Sequence, residues 1–468
     1  MMKKSVHDSP VSPSNHSPPA PWVSRRARWA PALLVLIGLL THVVALGRPA
    51  QVAFDEVHWG QSVTAYCCTG ERMFDVHPPH GKLLLTLGAV AAGYEGDLPF
   101  TQIGQTYGRY SAAWFRSVPA LCGILIPVLL FWLLRGVGAS VPTAWLGGFL
   151  LALDNAFVLE TRTMLFDGVL VAASLGALVC VLAMDRAASS GRALAWASAA
   201  GALAGLAIGT KFTGLAVPLL VAAYLWWPGS PRRVPAQLWR LIGVMAASAV
   251  IVYLGGWAIH FSLLTNPGPA DAFHATTGRF LEDLWVIHRT MFAANAGLSQ
   301  PHPDASLPLT WPLMKVAPFF WANSEGAALY LVGNPLVWWG GSLLLVVILG
   351  VTALTRVSRL RIEGRPTLPL KWWLLLAYAV TYLPLFGVSR ILFLYHYLTP
   401  LVFALAFVVA WLESAGWIRA ADGLRQRTSY FVVMGAAVIG FAAMAPVTYG
   451  WQIDGYTPWL LEVIRFWR

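Results

Sequence analysis

Long apolar runs separated by short polar connections set the plan of this 468-residue chain. A helix needs about 20 largely apolar residues to cross roughly 30 Å of hydrocarbon. By that measure the pattern predicts helices over 29–46, 110–134, 141–155, 164–184, 193–208, 212–227 and 238–259. It predicts more over 330–354, 372–387, 391–412 and 430–449, which makes about eleven spans. The run 83–93 is too short to span and is expected in or near the membrane interface. Two polar stretches are long enough to carry structure of their own, 48–109 and 261–326. The expected architecture is an all-α integral membrane domain over 29–468, preceded by a disordered Pro/Ser-rich leader over 1–28.

Composition sharpens this picture. The chain is 57% hydrophobic with 23 tryptophans, which excludes two or three soluble domains of the kind its length would allow. A net charge of +11 could suggest nucleic acid, but the basic residues collect between apolar runs, so no nucleic-acid partner is expected. Arg25, Arg26 and Arg28 precede the first run and place the N-terminus in the cytoplasm. Threading the spans from there puts Arg135, 185–192, Arg232, Arg233, Arg240, Arg356, Arg359, Arg361, Arg365, Lys371, Arg419, Arg425 and Arg427 inside. The acid- and His-bearing segments then face the other side. No cleavable signal peptide is apparent, and the four cysteines form no framework: Cys122 and Cys180 sit in apolar runs, and Cys67 and Cys68 are adjacent.

Chemistry concentrates in 54–82, FDEVHWGQSVTAYCCTGERMFDVHPPHGK, in a protein that is only 11% charged. Loops must be solvated, so polarity alone means little. Acids beside His58 and His77, with HPP stiffening the backbone, point instead to a reaction centre at a membrane surface. Asp55 and Glu56 are consecutive and cannot point the same way, which excludes a glycosidase-like acid/base pair. One carboxylate as base, with the other holding a partner, suits a reaction whose leaving group is a phosphate. Such a group needs cations rather than a general acid. Lys82, Arg116, Lys211, Arg390 and His396 are the candidates. Snorkelling is the ordinary reading of a lone cation at a helix end. Lys211, in the tight turn GTKFTG, fits it poorly. Arg162 and Asp167 read as an ion pair within the bundle, and Tyr395 and Tyr397 as interfacial belt aromatics.

These pieces stand in an order that resembles the protein O-mannosyltransferases, multi-spanning GT-C glycosyltransferases. FDEVHWG with FDVHPPHGKL looks like that family's first-loop signature. RSVPALCG, LDN with ETRTMLFDG, GTKFTGL, IHFSLL, HPDAS with WPL, GNPLVWW and RILFLYHYLTPL follow in the family's order. The resemblance implies a polyprenyl- or dolichyl-phosphate mannose donor, a Ser/Thr hydroxyl of a secretory protein as acceptor, and inversion in one displacement. It implies that Asp55 is the base, with Glu56 orienting the acceptor or supporting Asp55. His77, Lys211, Arg390, His396 and Tyr397 would surround the donor phosphate and sugar. His302 would lie near that group, and His302, His58 and Arg116 would support the acceptor or the loop. No metal-ligand set is visible and no cofactor is assigned.

Two departures stand out. The stretch 261–326 is too short for the soluble MIR domain of eukaryotic members, so the resemblance is to a bacterial-type member in the cytoplasmic membrane with its site on the outer face. His80 replaces the apolar residue usual after HPP. A related enzyme moving another polyprenyl-phosphate sugar to a lipid or glycan is the nearest alternative. A transporter would predict repeated halves with broken helices at the midplane, and no halves repeat.

Overall fold

The computed structural model describes residues 25–228, 235–274, 277–297, 301–357, 369–418 and 424–467. The leader over 1–24 and the basic positions Arg232, Arg233, Arg359, Arg361, Arg365 and Arg419 lie outside them.

The first apolar run forms α1 (Arg25–His42). The polar stretch that follows carries α2 (Glu56–Thr64), a π-helical turn at Ala65–Thr69, α3 (His80–Ala91) and the single turn α4 (Ala112–Phe115). A compact series comes next: α5 (Ser117–Gly136), α6 (Val141–Ala152), α7 (Asn155–Arg162), α8 (Asp167–Asp185), α9 (Ser190–Thr210), α10 (Ala216–Leu225) and α11 (Pro235–Leu263). Polar caps start several of them. The side chains of Ser140, Asp154 and Ser189 accept hydrogen bonds from the backbone N–H of Thr143, Phe157 and Arg192. The second polar stretch holds α12 (Phe280–Gly297) and the first strand of an antiparallel hairpin, β1 (Phe319–Ala322) with β2 (Ala328–Tyr330). The chain continues through α13 (Gly341–Val357), α14 (Lys371–Tyr382), α15 (Leu398–Ser414), α16 (Leu424–Tyr449) and α17 (Tyr456–Phe466).

Each of the eleven apolar runs contains helix, although the run over 330–354 begins at the end of a strand and the run over 391–412 begins in irregular chain. Among the described residues seven helices are long and apolar enough to cross a membrane, and α6 with α7 would make an eighth. That pair bends by 59° at Leu153–Asp154, because Asp154 turns its carboxylate to cap α7. The same carboxylate accepts from the Asn334 N–H at 3.0 Å and the Trp338 indole at 2.8 Å, so Asp154 itself is well partnered at the break. The chain is a multi-pass membrane protein. Its centre is α8, whose spanning window is 83% buried, while α11 is 17% buried and lies at the periphery.

Two sequence expectations are corrected. Arg162 does not pair with Asp167. Its guanidinium donates to the carbonyls of Thr41, His42, Val44 and Ala45, closing the C-terminal end of α1, and Asp167 turns to Lys211. The cysteines do form a link, since Cys67 and Cys68 are joined as a disulfide within the π-helical turn.

Helix α9 is clamped against α11 through glycine. A Cβ at Gly201 or Gly205 would overlap the carbonyls of Met245 and Ala249, so only glycine permits this backbone approach. Gly205→Leu is expected to lower the thermal midpoint in detergent by several degrees, consistent with an overpacking cost of about 1–3 kcal/mol. Gly191→Ala, where a Cβ meets nothing, is the control. Equal midpoints for both would remove the clamp from the account.

Candidate active site

Helix direction gathers the site. The N-termini of α5, α8 and α15 and the C-terminus of α9 come to one end of the bundle, where α2 and α3 also pack. Asp55 sits at the N-cap of α2, following Phe54, which adopts a left-handed φ of 44°. That strain is held by stacking: the Phe54 ring lies 4.3 Å from Phe320, and its N–H donates to the Phe320 carbonyl at 2.8 Å. Asp55 does not cap the helix with its side chain. Its half-buried carboxylate faces a cleft instead.

Glu56 points the opposite way. It is fully enclosed, with Oε1 accepting from Arg116 Nε at 2.7 Å and Met164 N at 2.8 Å. Oε2 accepts from Arg116 Nη2 at 2.9 Å, Ala53 N at 2.8 Å and the Tyr107 hydroxyl at 3.2 Å. Arg116 also donates to the carbonyls of Pro49 and Gln51. The pair is a buried clamp on 46–56. Arg116 therefore reaches no phosphate, and Glu56 cannot touch an acceptor.

Two cavities flank this turn. One, of about 380 Å³, is lined by Asp55, His58, Trp59, Asp75, His77, His302, Arg390, Phe393 and Tyr395, among others. The other, of about 240 Å³, starts at Asp167, Lys211, Tyr395 and His396 and continues along apolar side chains of α8, α10 and α15. Tyr395 is their common wall. Lys211 is buried with its ammonium 2.7 Å from each oxygen of Asp167, and it lies over the rings of Phe166 and Tyr395 at 5.2 and 5.3 Å. Snorkelling is excluded for it. Arg390 reaches towards His396 Nε2 at 3.4 Å.

The electrostatics follow from this burial. Desolvation raises the Asp55 carboxyl to about 6; His58 and Lys211 nearby pull it down, and Asp167 and Asp75 push it up. His77 is held well below the usual histidine range by burial and by Lys211, Arg390 and Lys82, so it is neutral at pH 7.

The remaining expected residues fall unevenly. His58 and His302 are exposed at the cleft rim. Lys82 is buried against Asp75 and the His77 carbonyl, and fixes the HPP turn rather than a substrate. Tyr397 is neither a belt residue nor a donor ligand. It is buried against Trp338, Tyr382 and Tyr378 and lines neither cavity, because the 3-10 turn at Leu394–Tyr397 sends it away from Tyr395. His80 also lines neither cavity. Its ring fills the space between Gly209 and Gly256, with Nε2 2.9 Å from the Val252 carbonyl. Sequence reasoning missed Tyr395 as a site wall, Asp167 as the partner of Lys211, and Glu160, a buried carboxyl with Oε2 unbonded. Glu160 and Asp167 both stand in ETRTMLFDG, where Glu160 had no assigned role and Asp167 was assigned to Arg162. Among the described residues no group of three or more His, Cys, Asp or Glu could hold a metal ion.

Comparison with known proteins places these features. Residues 32–265 match the family described as dolichyl-phosphate-mannose-protein mannosyltransferase, and residues 280–467 match the C-terminal four-transmembrane region of protein O-mannosyltransferases. Protein O-mannosyltransferase 1 of Drosophila melanogaster is 34% identical over 256 residues, covering 51% of this chain and 28% of that protein. Dolichyl-phosphate-mannose–protein mannosyltransferase 4 of Candida albicans is 31% identical over 262 residues, 52% of this chain and 34% of that protein. The match thus spans about a third of the length of these relatives. The solved Pmt1-Pmt2 complex of Saccharomyces cerevisiae, bound to its sugar donor, superposes with a TM-score of 0.81 over 92% of this chain and 91% of the other, at 18% identity. ArnT of Cupriavidus metallidurans, bound to undecaprenyl phosphate, gives 0.57 at 16% identity, over 94% of this chain and 69% of the other. On the strength of the two family matches, which together run from the first helix to the last, the chain belongs to the dolichyl-phosphate-mannose–protein mannosyltransferase family.

Proposed function

We propose that this protein transfers mannose from a polyprenyl-phosphate donor to Ser/Thr hydroxyls of secreted proteins. The observation that carries the reading is the pair of cavities meeting at Tyr395, one with a carboxylate of raised pKa and the other with a buried lysine above an apolar channel. The apolar channel suits an isoprenoid chain, Lys211 and Arg390 suit its phosphate, and the wider polar cleft suits an extended peptide. Asp55 takes the hydroxyl proton, the oxygen attacks the anomeric carbon, and the bond to phosphate breaks with its electron pair leaving on the phosphate. The phosphate departs as an anion stabilised by Lys211 and Arg390, and a single displacement inverts the sugar. His396 and His77 flank the donor head, and His58 and His302 flank the acceptor. Glu56 and Arg116 hold the turn that aims Asp55. Positive-inside threading supports a site on the extracytoplasmic face with the N-terminus in the cytoplasm, and the short 261–326 stretch supports a bacterial-type member in the inner membrane.

The test is label transfer by purified protein from radiolabelled polyprenyl-phosphate mannose to a Ser/Thr-rich peptide. Donor hydrolysis without labelled peptide would redirect the acceptor to a lipid or glycan. Lys211→Met is expected to raise the donor KM by about tenfold or more, the loss of one charge-assisted contact, with the peptide KM little changed. Unchanged donor use would remove Lys211 from the phosphate site.

A further inference from the structure

Helix α12 has no place in the chemistry above, yet one residue on it ties the two sides of the site together. Ile287 and Met291 are buried against Trp257, and Asn295 follows one turn later on the same stripe. The Asn295 side chain is fully used. Nδ2 donates to the Val76 carbonyl at 3.0 Å and to the Met291 carbonyl at 2.9 Å, while Oδ1 accepts from Arg390 Nη1 at 2.6 Å. Only one orientation of the amide satisfies these three bonds, because reversing it would set NH2 against a guanidinium and oxygen against two carbonyls. Val76 lies between Asp75 and His77 on the cleft wall, and Arg390 stands between that cleft and His396.

We propose that Asn295 is a positioning residue that presents Arg390 to the donor phosphate while holding the 75–77 turn in register with it. The neutral amide matters. It orients the guanidinium without neutralising it, so the full positive charge stays available to an anion. A carboxylate at this position would form a bidentate pair and withdraw that charge. The inference rests on the reading of Arg390 as a phosphate contact.

The experiment is a double-mutant cycle on the full chain in detergent, with polyprenyl phosphate as the binding probe and mannosyl transfer as a second readout. Asn295→Asp is expected to weaken polyprenyl phosphate binding by about tenfold or more, and more than Asn295→Leu does. In an Arg390→Gln background the same Asn295→Asp change should alter binding by less than about twofold, since the charge it acts on is gone. The donor KM should move with binding while the peptide KM moves less. Equal effects of Asn295→Asp in both backgrounds, or Asn295→Asp binding better than Asn295→Leu, would overturn the proposal and leave α12 a packing element. Wild type that neither binds polyprenyl phosphate nor transfers label would instead sink the functional reading itself, and this inference with it. Elution as a single species on gel filtration shows that each variant is folded.

Discussion

Asp55→Asn should lower turnover by about two to four orders of magnitude, the usual contribution of a positioned general base, in protein as stable as the wild type. The substitution keeps the shape of the side chain and removes the oxygen that takes the proton. Stability should not fall, because burial already penalises this carboxylate. A carboxyl raised from its ordinary value to about 6 favours the folded state only while protonated. That contribution is present below the unfolded value and lost as pH rises through 6, so at pH 7 the charge is a cost that asparagine relieves. The same shift sets the pH profile. The base works when ionised, so the wild-type rate should climb about tenfold per pH unit below 6 and level off above it. A wild-type-like rate for Asp55→Asn, or a wild-type profile already flat from pH 4.5, would take the base role from Asp55. A steep fall in thermal midpoint would reassign the loss to folding.

Much of this was legible in the sequence, and what escaped shares a cause. Apolar runs gave the helices because burial in lipid demands about 20 residues whatever the tertiary contacts. Adjacent acids gave the opposed directions of Asp55 and Glu56 because side chains one residue apart diverge on any regular backbone. Partner choice was not legible. Arg162 satisfies itself on four backbone carbonyls, which carry no sequence signature, so the nearby Asp167 looked like its partner. Lys211 lies 44 residues from Asp167, and only antiparallel packing of α8 and α9 joins them. Tyr395 and Tyr397 differ by two positions in a 3-10 turn, and neither hydropathy nor motif says which faces a cavity. The clamp role of Arg116 was equally hidden, because its partners are one acid and the carbonyls of a turn whose shape the sequence does not state.

That clamp should fail in a characteristic way. Glu56 and Arg116 are 0% and 1% exposed, so removing one partner strands a charge in the interior. Glu56→Ala is expected to cost about 3–5 kcal/mol, read as a fall of the thermal midpoint in detergent, with little transfer activity at temperatures where it remains folded. The double variant Glu56→Met with Arg116→Met leaves no unpaired charge and should recover part of that midpoint, since apolar replacements of a buried pair are often tolerated. It should not recover activity. The N–H groups of Ala53 and Met164 and the carbonyls of Pro49 and Gln51 lose their partners, so the turn that aims Asp55 is no longer fixed. Stability and activity should thus separate between the single and double variants. A double variant as active as wild type would show that Asp55 is aimed by its helix and by the Phe54–Phe320 stack alone. A single variant as stable as wild type would show that water reaches Arg116 and that the pair is not sealed from solvent.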